Sequence, residues 1–171
     1  YKWMLKYRNH GMVDRNNIEF WGENFRLQPL QAVVAQIGLK KLNNTILKRN
    51  KNAEKYDKCL KNLENFVKTP PRTKDNLETF SLYMGLFQDR DNLMKFLISK
   101  NIEVKIHYPI PLHKQSAAKK NCKFVNSKLK NVEYQAKHLL TLPVHQFLSN
   151  QQTDYLISNI YNFYGKTFNF S

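Results

Sequence analysis

The chain has 171 residues, 42% hydrophobic and 13% aromatic, a composition that excludes intrinsic disorder and suits one well-buried core. No apolar run approaches the roughly 18 residues of a membrane-spanning helix, no secretory leader pattern follows Tyr1-Lys2-Trp3-Met4, and Cys59 and Cys122 lack the spacing of a zinc site or a redox pair. The net charge of +15 could mark a nucleic-acid or membrane binder. Against that, the basic residues are 22 Lys and six Arg spread along the whole chain, and the densest stretch, 114–130, lacks the regular aromatic interleaving that stacks bases.

Residues 1–7 read as the end of a helix that stops near Asn9-His10-Gly11, with Gly11 as its C-cap. A loop through Asp14–Asn17 follows. A long helix starts near Pro29, where the missing N–H is harmless. Its stripe of Ala35, Leu39, Leu42 and Ile46 continues through Ala53, Tyr56 and Leu60, with a break or kink open to it near Asn43-Asn44 or Asn50. Phe66-Val67 is a short strand stopped by Pro70-Pro71. The run from Phe80 to Phe87 alternates, which predicts a half-buried strand with Phe80, Leu82, Met84 and Leu86 on its apolar face.

Asp89 caps a helix whose apolar face is Leu93, Phe96 and Leu97, and Asn101 suits the left-handed position after it. Ile102, Val104 and Ile106 alternate as a strand running into His107-Tyr108-Pro109. Residues 109–130 read as loop with a short helix, 132–140 as a helix, and Leu142-Pro143-Val144 as a short extended piece. Ser149 with Gln152 forms a capping box for a last helix whose apolar face is Leu156, Ile157, Ile160, Phe163 and Tyr164. Strands joined by helices point to an α/β or α+β layered domain, a small sheet covered by helices.

Three constellations gather polar groups in loops beside regular elements, where binding residues concentrate. They are Arg8-Asn9-His10-Gly11; Gly22-Glu23-Asn24-Phe25-Arg26 with Gln31-Ala32; and His107-Tyr108-Pro109-Ile110-Pro111-Leu112-His113 with Gln115. Asn24 and Arg26 just precede a helix N-terminus, a position that favours phosphate or carboxylate. The bland readings stand beside these: a loop Arg is commonly a surface or ion-pair residue, His107 could be a satisfied core histidine, and His113 an exposed one. There is no glycine-rich phosphate loop, nucleophile elbow or His pair at metal-binding spacing. The chemistry of the residues alone describes an anion-binding module.

In these segments the chain resembles the DegT/DnrJ/EryC1/StrS family of nucleotide-sugar aminotransferases. The family pattern is Arg-x-His-Gly, then Gly-x-Asn-x-Arg-Met followed by Gln-Ala-Ala, then His-Tyr-x-x-Pro-Leu-His, an acidic position, and a Leu-Pro ending before the last helix. Here these are Arg8–Gly11, Gly22–Leu27 with Gln31-Ala32-Val33, His107–His113, Glu133, and Leu142-Pro143-Val144-His145. Phe25 stands for the usual Tyr, Leu27 for Met and Asn101 for a common Gly, and none of these removes a charged or proton-transferring group.

The resemblance implies the C-terminal small domain of a type I aminotransferase: residues 1–23 as the tail of a large cofactor domain, and 24–171 as the interdomain helix and the small domain. It implies pyridoxal phosphate as cofactor, with Asn24 reaching across a homodimer interface to its phosphate and Arg26 supporting that contact or a substrate carboxylate. It places His107, Tyr108 and His113 at a sugar-nucleotide pocket, and the form of that segment resembles members acting at sugar C3. The cofactor lysine of the family precedes the Arg-x-His-Gly segment. No catalytic or metal-binding residue is therefore expected among these 171 residues, and the piece alone is expected to be inactive. A nucleotide-linked keto sugar and an amino donor, typically glutamate, are the implied partners, in the cytoplasm, with neither nucleic acid nor membrane. A stand-alone binding or regulatory module, and a basic nucleic-acid-binding domain, are the competing expectations.

Overall fold

The computed structural model of the chain describes residues 1–73, 75–121 and 129–168, so Cys122 and part of the basic 114–130 stretch lie outside the described residues. It divides into two compact units, Tyr1–Asn43 and Asn44–Ser171.

The first unit opens with α1 (Lys2–Tyr7), followed by a hairpin of β1 (Met12–Asp14) and β2 (Asn17–Ile18) and by the first turns of α2 (Pro29–Leu60). The hairpin turn falls where the sequence places a polar loop, because Asp14 Oδ1 accepts from the Asn16 backbone N–H at 2.8 Å. Helix α1 ends earlier than Gly11, with Arg8 as its C-cap. Gly11 has φ +74°, and its N–H donates to the Lys6 carbonyl at 2.8 Å, so it closes the turn after the helix. Trp3 stacks with Tyr7 and Phe20 at ring separations of 4.8 and 5.5 Å.

The second unit holds the rest of α2, then β3 (Val67–Lys68), β4 (Tyr83–Phe87), α3 (Arg90–Ser99), α4 (Ser116–Asn121), α5 (Lys130–His138), β5 (Leu139–Leu142) and α6 (Asn150–Phe163). Its sheet is antiparallel in the order β3-β4-β5. Tyr83 faces Leu142 and Gly85 faces Leu140, so these residues share one side of the sheet with Phe87. That side meets Ala53, Tyr56 and Leu60 of α2, Leu93 and Leu97 of α3, and Leu156, Ile157 and Ile160 of α6 in one buried cluster. The small sheet covered by helices, and the α/β class, stand as read from the sequence.

The buried face of β4 is the reverse of the expected one. Tyr83 and Phe87 are buried, whereas Leu82 is 42% exposed and Met84 and Leu86 are half-buried. Two large rings bury more surface than the aliphatic face offers, and Gly85 makes room: a Cβ there would lie 2.9 Å from the Phe87 ring. Alternation fixes the period of a strand but not which side faces in.

Helix α2 runs unbroken for 32 residues. Two of its asparagines give their amides to carbonyls instead of breaking the helix. The Asn50 amide donates to the Ile46 and Glu78 carbonyls at 2.9 and 2.8 Å, and the Asn52 amide to the His145 carbonyl at 3.1 Å. The apolar stripe is buried only in its C-terminal part, since Leu39 is 68% exposed while Ala53 and Tyr56 are fully covered.

Ile102 and Val104 are buried as expected, but the 102–106 stretch forms only a bridge, Lys105 to Thr141. Asp89 is the N-cap of α3 in a left-handed conformation, and its carboxylate accepts from the Asn92 side chain rather than from a backbone N–H. Asn101 takes the expected left-handed turn at φ +59°. The helix expected over 132–140 spans 130–138, because residues 139–142 pair with β4. The capping box of α6 is present in both halves, with Gln152 N donating to Ser149 Oγ at 3.1 Å and Ser149 N to Gln152 Oε1 at 2.9 Å.

Candidate functional site

In the first unit, the Arg8–Gly11 and Gly22–Arg26 constellations come together. His10 N donates to the Glu23 carbonyl at 3.0 Å, Phe25 N to the Arg8 carbonyl at 2.9 Å, and Asn9 bridges Asn24. Two glycines permit this approach. A Cβ on Gly11 would meet the Phe20 carbonyl oxygen at 1.6 Å, and one on Gly22 would lie 2.5 Å from both Gly11 N and the Tyr7 carbonyl oxygen. The Asn9 carboxamide oxygen accepts from Arg26 Nε at 2.8 Å, which orients that guanidinium and leaves its two terminal nitrogens without a described partner. The side chains of Arg8 and Asn24 are exposed and make no hydrogen bond to a described residue. Two guanidinium groups and a carboxamide on adjoining backbone segments form a donor set suited to a phosphate group. Gln31 Oε1 accepts from Gln28 N at 3.0 Å at the start of α2, next in sequence to this cluster.

In the second unit, the His107–Leu112 loop and α5 enclose an open groove of about 480 Å³, lined by His107 and Tyr108 and by the apolar side chains of Leu112, Val132 and Leu139. The rings of His107 and Tyr108 meet edge to face at 5.7 Å, and Tyr108 is 76% exposed. His107 Nδ1 lies 2.9 Å from Thr141 Oγ1. His107 also borders a second groove, of about 710 Å³, between the 101–107 edge and the start of α6.

His113 is placed differently from its two companions. It does not line the groove. Its Nε2 sits 3.3 Å from Glu133 Oε1, while Lys114 Nζ lies 2.9 Å from Glu133 Oε2. The Lys114 ammonium, and then His113, hold the Glu133 carboxyl below the ordinary carboxylate range. The pair therefore ties the end of the His-Tyr-Pro loop to α5.

Sequence reasoning passed over Thr141. The available signal was a single hydroxyl within the apolar run Leu139–Leu142. It also passed over Arg90, which is 7% exposed and donates to the Leu139 carbonyl at 2.8 Å, fixing the start of β5. Among the described residues there is no group of three or more His, Cys, Asp or Glu that could hold a metal ion, and no helix long and apolar enough to cross a membrane.

The fold is shared with solved aminotransferases. A solved DegT/DnrJ/EryC1/StrS aminotransferase from Brucella abortus superposes with a TM-score of 0.88 at 28% identity, over 96% of this chain and 43% of its own. The dTDP-3-amino-3,6-dideoxy-alpha-D-galactopyranose transaminase of Aneurinibacillus thermoaerophilus is 28% identical over 92% of this chain and 42% of its own length. The UDP-2-acetamido-2-deoxy-3-oxo-D-glucuronate aminotransferase of Pseudomonas aeruginosa is 30% identical over 81% of this chain and 37% of its own length. The model of the DegT/DnrJ/EryC1/StrS aminotransferase family matches residues 1–161, and the chain belongs to that family. It spans about two-fifths of the length of these curated relatives.

Proposed function

We propose that this chain forms the C-terminal lobe of a homodimeric aminotransferase that uses pyridoxal phosphate to pass an amino group, with glutamate as typical donor, to a keto group on a nucleotide-linked sugar. The observation that carries the reading is the joined Arg8–Gly11 and Gly22–Arg26 cluster, with its free carboxamide and guanidinium nitrogens, inside a family match that covers residues 1–161. That donor set fits the phosphate of the coenzyme, and Asn24 and Arg26 are the residues that would hold it. When bound, pyridoxal phosphate supplies the electron sink for amine transfer. No residue of this chain is assigned to its covalent attachment, and the chain alone is proposed to be inactive.

The residues of the second unit serve the sugar nucleotide in this reading. Leu112, Val132 and Leu139 offer the substrate an apolar surface along the groove. The imidazole of His107 and the phenol of Tyr108 supply polar contacts in the groove. His113 acts from behind, holding the loop on α5 through Glu133. The names of the two relatives describe a 3-amino and a 3-oxo sugar, which supports C3 as the carbon aminated here.

The test is amine transfer by the full-length protein, from glutamate to a dTDP- or UDP-linked 3-keto sugar. Asn24→Ala and Arg26→Ala are expected to raise the dissociation constant of pyridoxal phosphate roughly tenfold each, the value of one hydrogen bond to a charged group. Affinity for the coenzyme that neither substitution changes would overturn the assignment of the cluster, and absence of amine transfer to any keto sugar nucleotide would overturn the activity.

A further inference from the structure

Thr141 is buried, 6% exposed, in the middle of β5. Its backbone is held on both sides: it faces Met84 across the ladder and exchanges two hydrogen bonds with Lys105, at 2.8 and 3.2 Å. His107 follows Lys105 by two residues, which puts it on the same face. There Thr141 Oγ1 lies 2.9 Å from His107 Nδ1. A buried hydroxyl needs an acceptor for its proton. Among the described residues Thr141 Oγ1 has no hydrogen-bond partner other than this nitrogen. A hydroxyl that donates here makes Nδ1 the acceptor. In a neutral imidazole, a nitrogen that accepts leaves the proton on the other one. Nε2 is then the N–H donor, and it makes no hydrogen bond to a described residue.

We propose that Thr141 is a positioning residue that fixes both the orientation and the tautomer of His107, so that the imidazole offers Nε2–H to an acceptor oxygen of the sugar nucleotide. This rests on the reading above, that the His107–Tyr108 groove receives that substrate. The diphosphate is the strongest acceptor such a substrate carries, and an N–H donor beside it loses nothing to repulsion, unlike an acceptor nitrogen. Without the hydroxyl, the ring can turn and the proton can sit on either nitrogen. The donor is then present in only part of the molecules, and apparent affinity falls by that fraction.

The experiment is long-range proton–nitrogen NMR of the histidine rings in the full-length protein, with His107→Gln used to assign the signals, on wild type, Thr141→Val and Thr141→Ser. Wild type and Thr141→Ser are expected to show an unprotonated Nδ1 and a protonated Nε2, and Thr141→Val a mixture of tautomers. Calorimetric binding of UDP and dTDP is expected to weaken about two- to threefold in Thr141→Val, as the share of molecules offering Nε2–H falls, and to be restored by Thr141→Ser. A proton on Nδ1 in the wild type, or ring nitrogens indifferent to Thr141→Val, overturns the positioning role. The first of these outcomes needs no variant to fold. Wild-type protein that binds neither nucleotide overturns the substrate reading, independently of the ring spectra.

Discussion

At the scale of single residues, the two glycines beside the phosphate-competent cluster are as necessary as its charged groups. Gly22 packs its Cα against the backbone of Gly11 and Tyr7, and the 2.5 Å that a Cβ would leave cannot be relieved by turning a side chain. Gly22→Ala is therefore expected to break the hydrogen bonds of His10 to Glu23 and of Phe25 to Arg8, seen as faster hydrogen exchange at those two amides. Glu133 carries a pH dependence of definite sign. Its folded-state carboxyl titrates below the ordinary value of 4.5, so its contribution is complete above that pH and is lost as the pH falls through the lower folded value. The 112–115 loop is expected to loosen from α5 in that acid window, and Glu133→Gln to loosen it at neutral pH as well. Amide exchange at Lys114 and Gln115 as a function of pH checks both. Much of this scale was legible in the sequence: Asn24, Arg26, His107 and Tyr108 all stand in loops beside regular elements. The contact of Thr141 with His107 was not, because 34 residues separate partners that only a strand bridge brings together.

At the scale of elements, α6 shows a local code carried through. Ser149 and Gln152 satisfy each other's backbone N–H groups, and three apolar residues, Leu156, Ile157 and Ile160, then fall on one buried face. Ser149→Ala is expected to cost about 1 kcal/mol, read as a lower urea midpoint with unchanged slope. Helix α2 shows where such a code stops. Asn50 reads as a possible break when taken alone, yet its amide bonds the carbonyl of Glu78, far away in sequence. Tyr56 likewise donates its hydroxyl to the Pro143 carbonyl at 2.8 Å, and its burial raises that hydroxyl's pKa well above the ordinary tyrosine value. The short β5 was displaced in the reading for a related reason. Its residues, Leu-Leu-Thr-Leu, suit the end of a helix as well as a strand, and pairing with β4 decides between them.

At the scale of the molecule, burial is uneven. Among the described residues, every buried hydrophobic residue lies between Ala53 and Tyr161, in the second unit, whereas in the first unit Gly11 is the buried residue. Amide protection is therefore expected to be strong in β4, β5, α3 and α6 and weak across residues 1–28, in hydrogen exchange followed by mass spectrometry. Equal protection across the chain would contradict that division. Trp21, Leu30 and Leu39 are 89%, 76% and 68% exposed, apolar surface of the kind that a larger assembly covers.

The sequence by itself determined the family, the class of fold, and the helix boundaries at Pro29 and Ser149. These are local facts: they follow from caps, periodicity and short ordered motifs, whose physics acts over a few residues. Only the tertiary structure decided which face of β4 is buried, which asparagines are satisfied, and that His113 turns to Glu133 while His107 turns to Thr141. Each of those depends on a partner distant in the chain, and a side chain's preference among such partners is set by the burial and hydrogen bonding that folding alone creates.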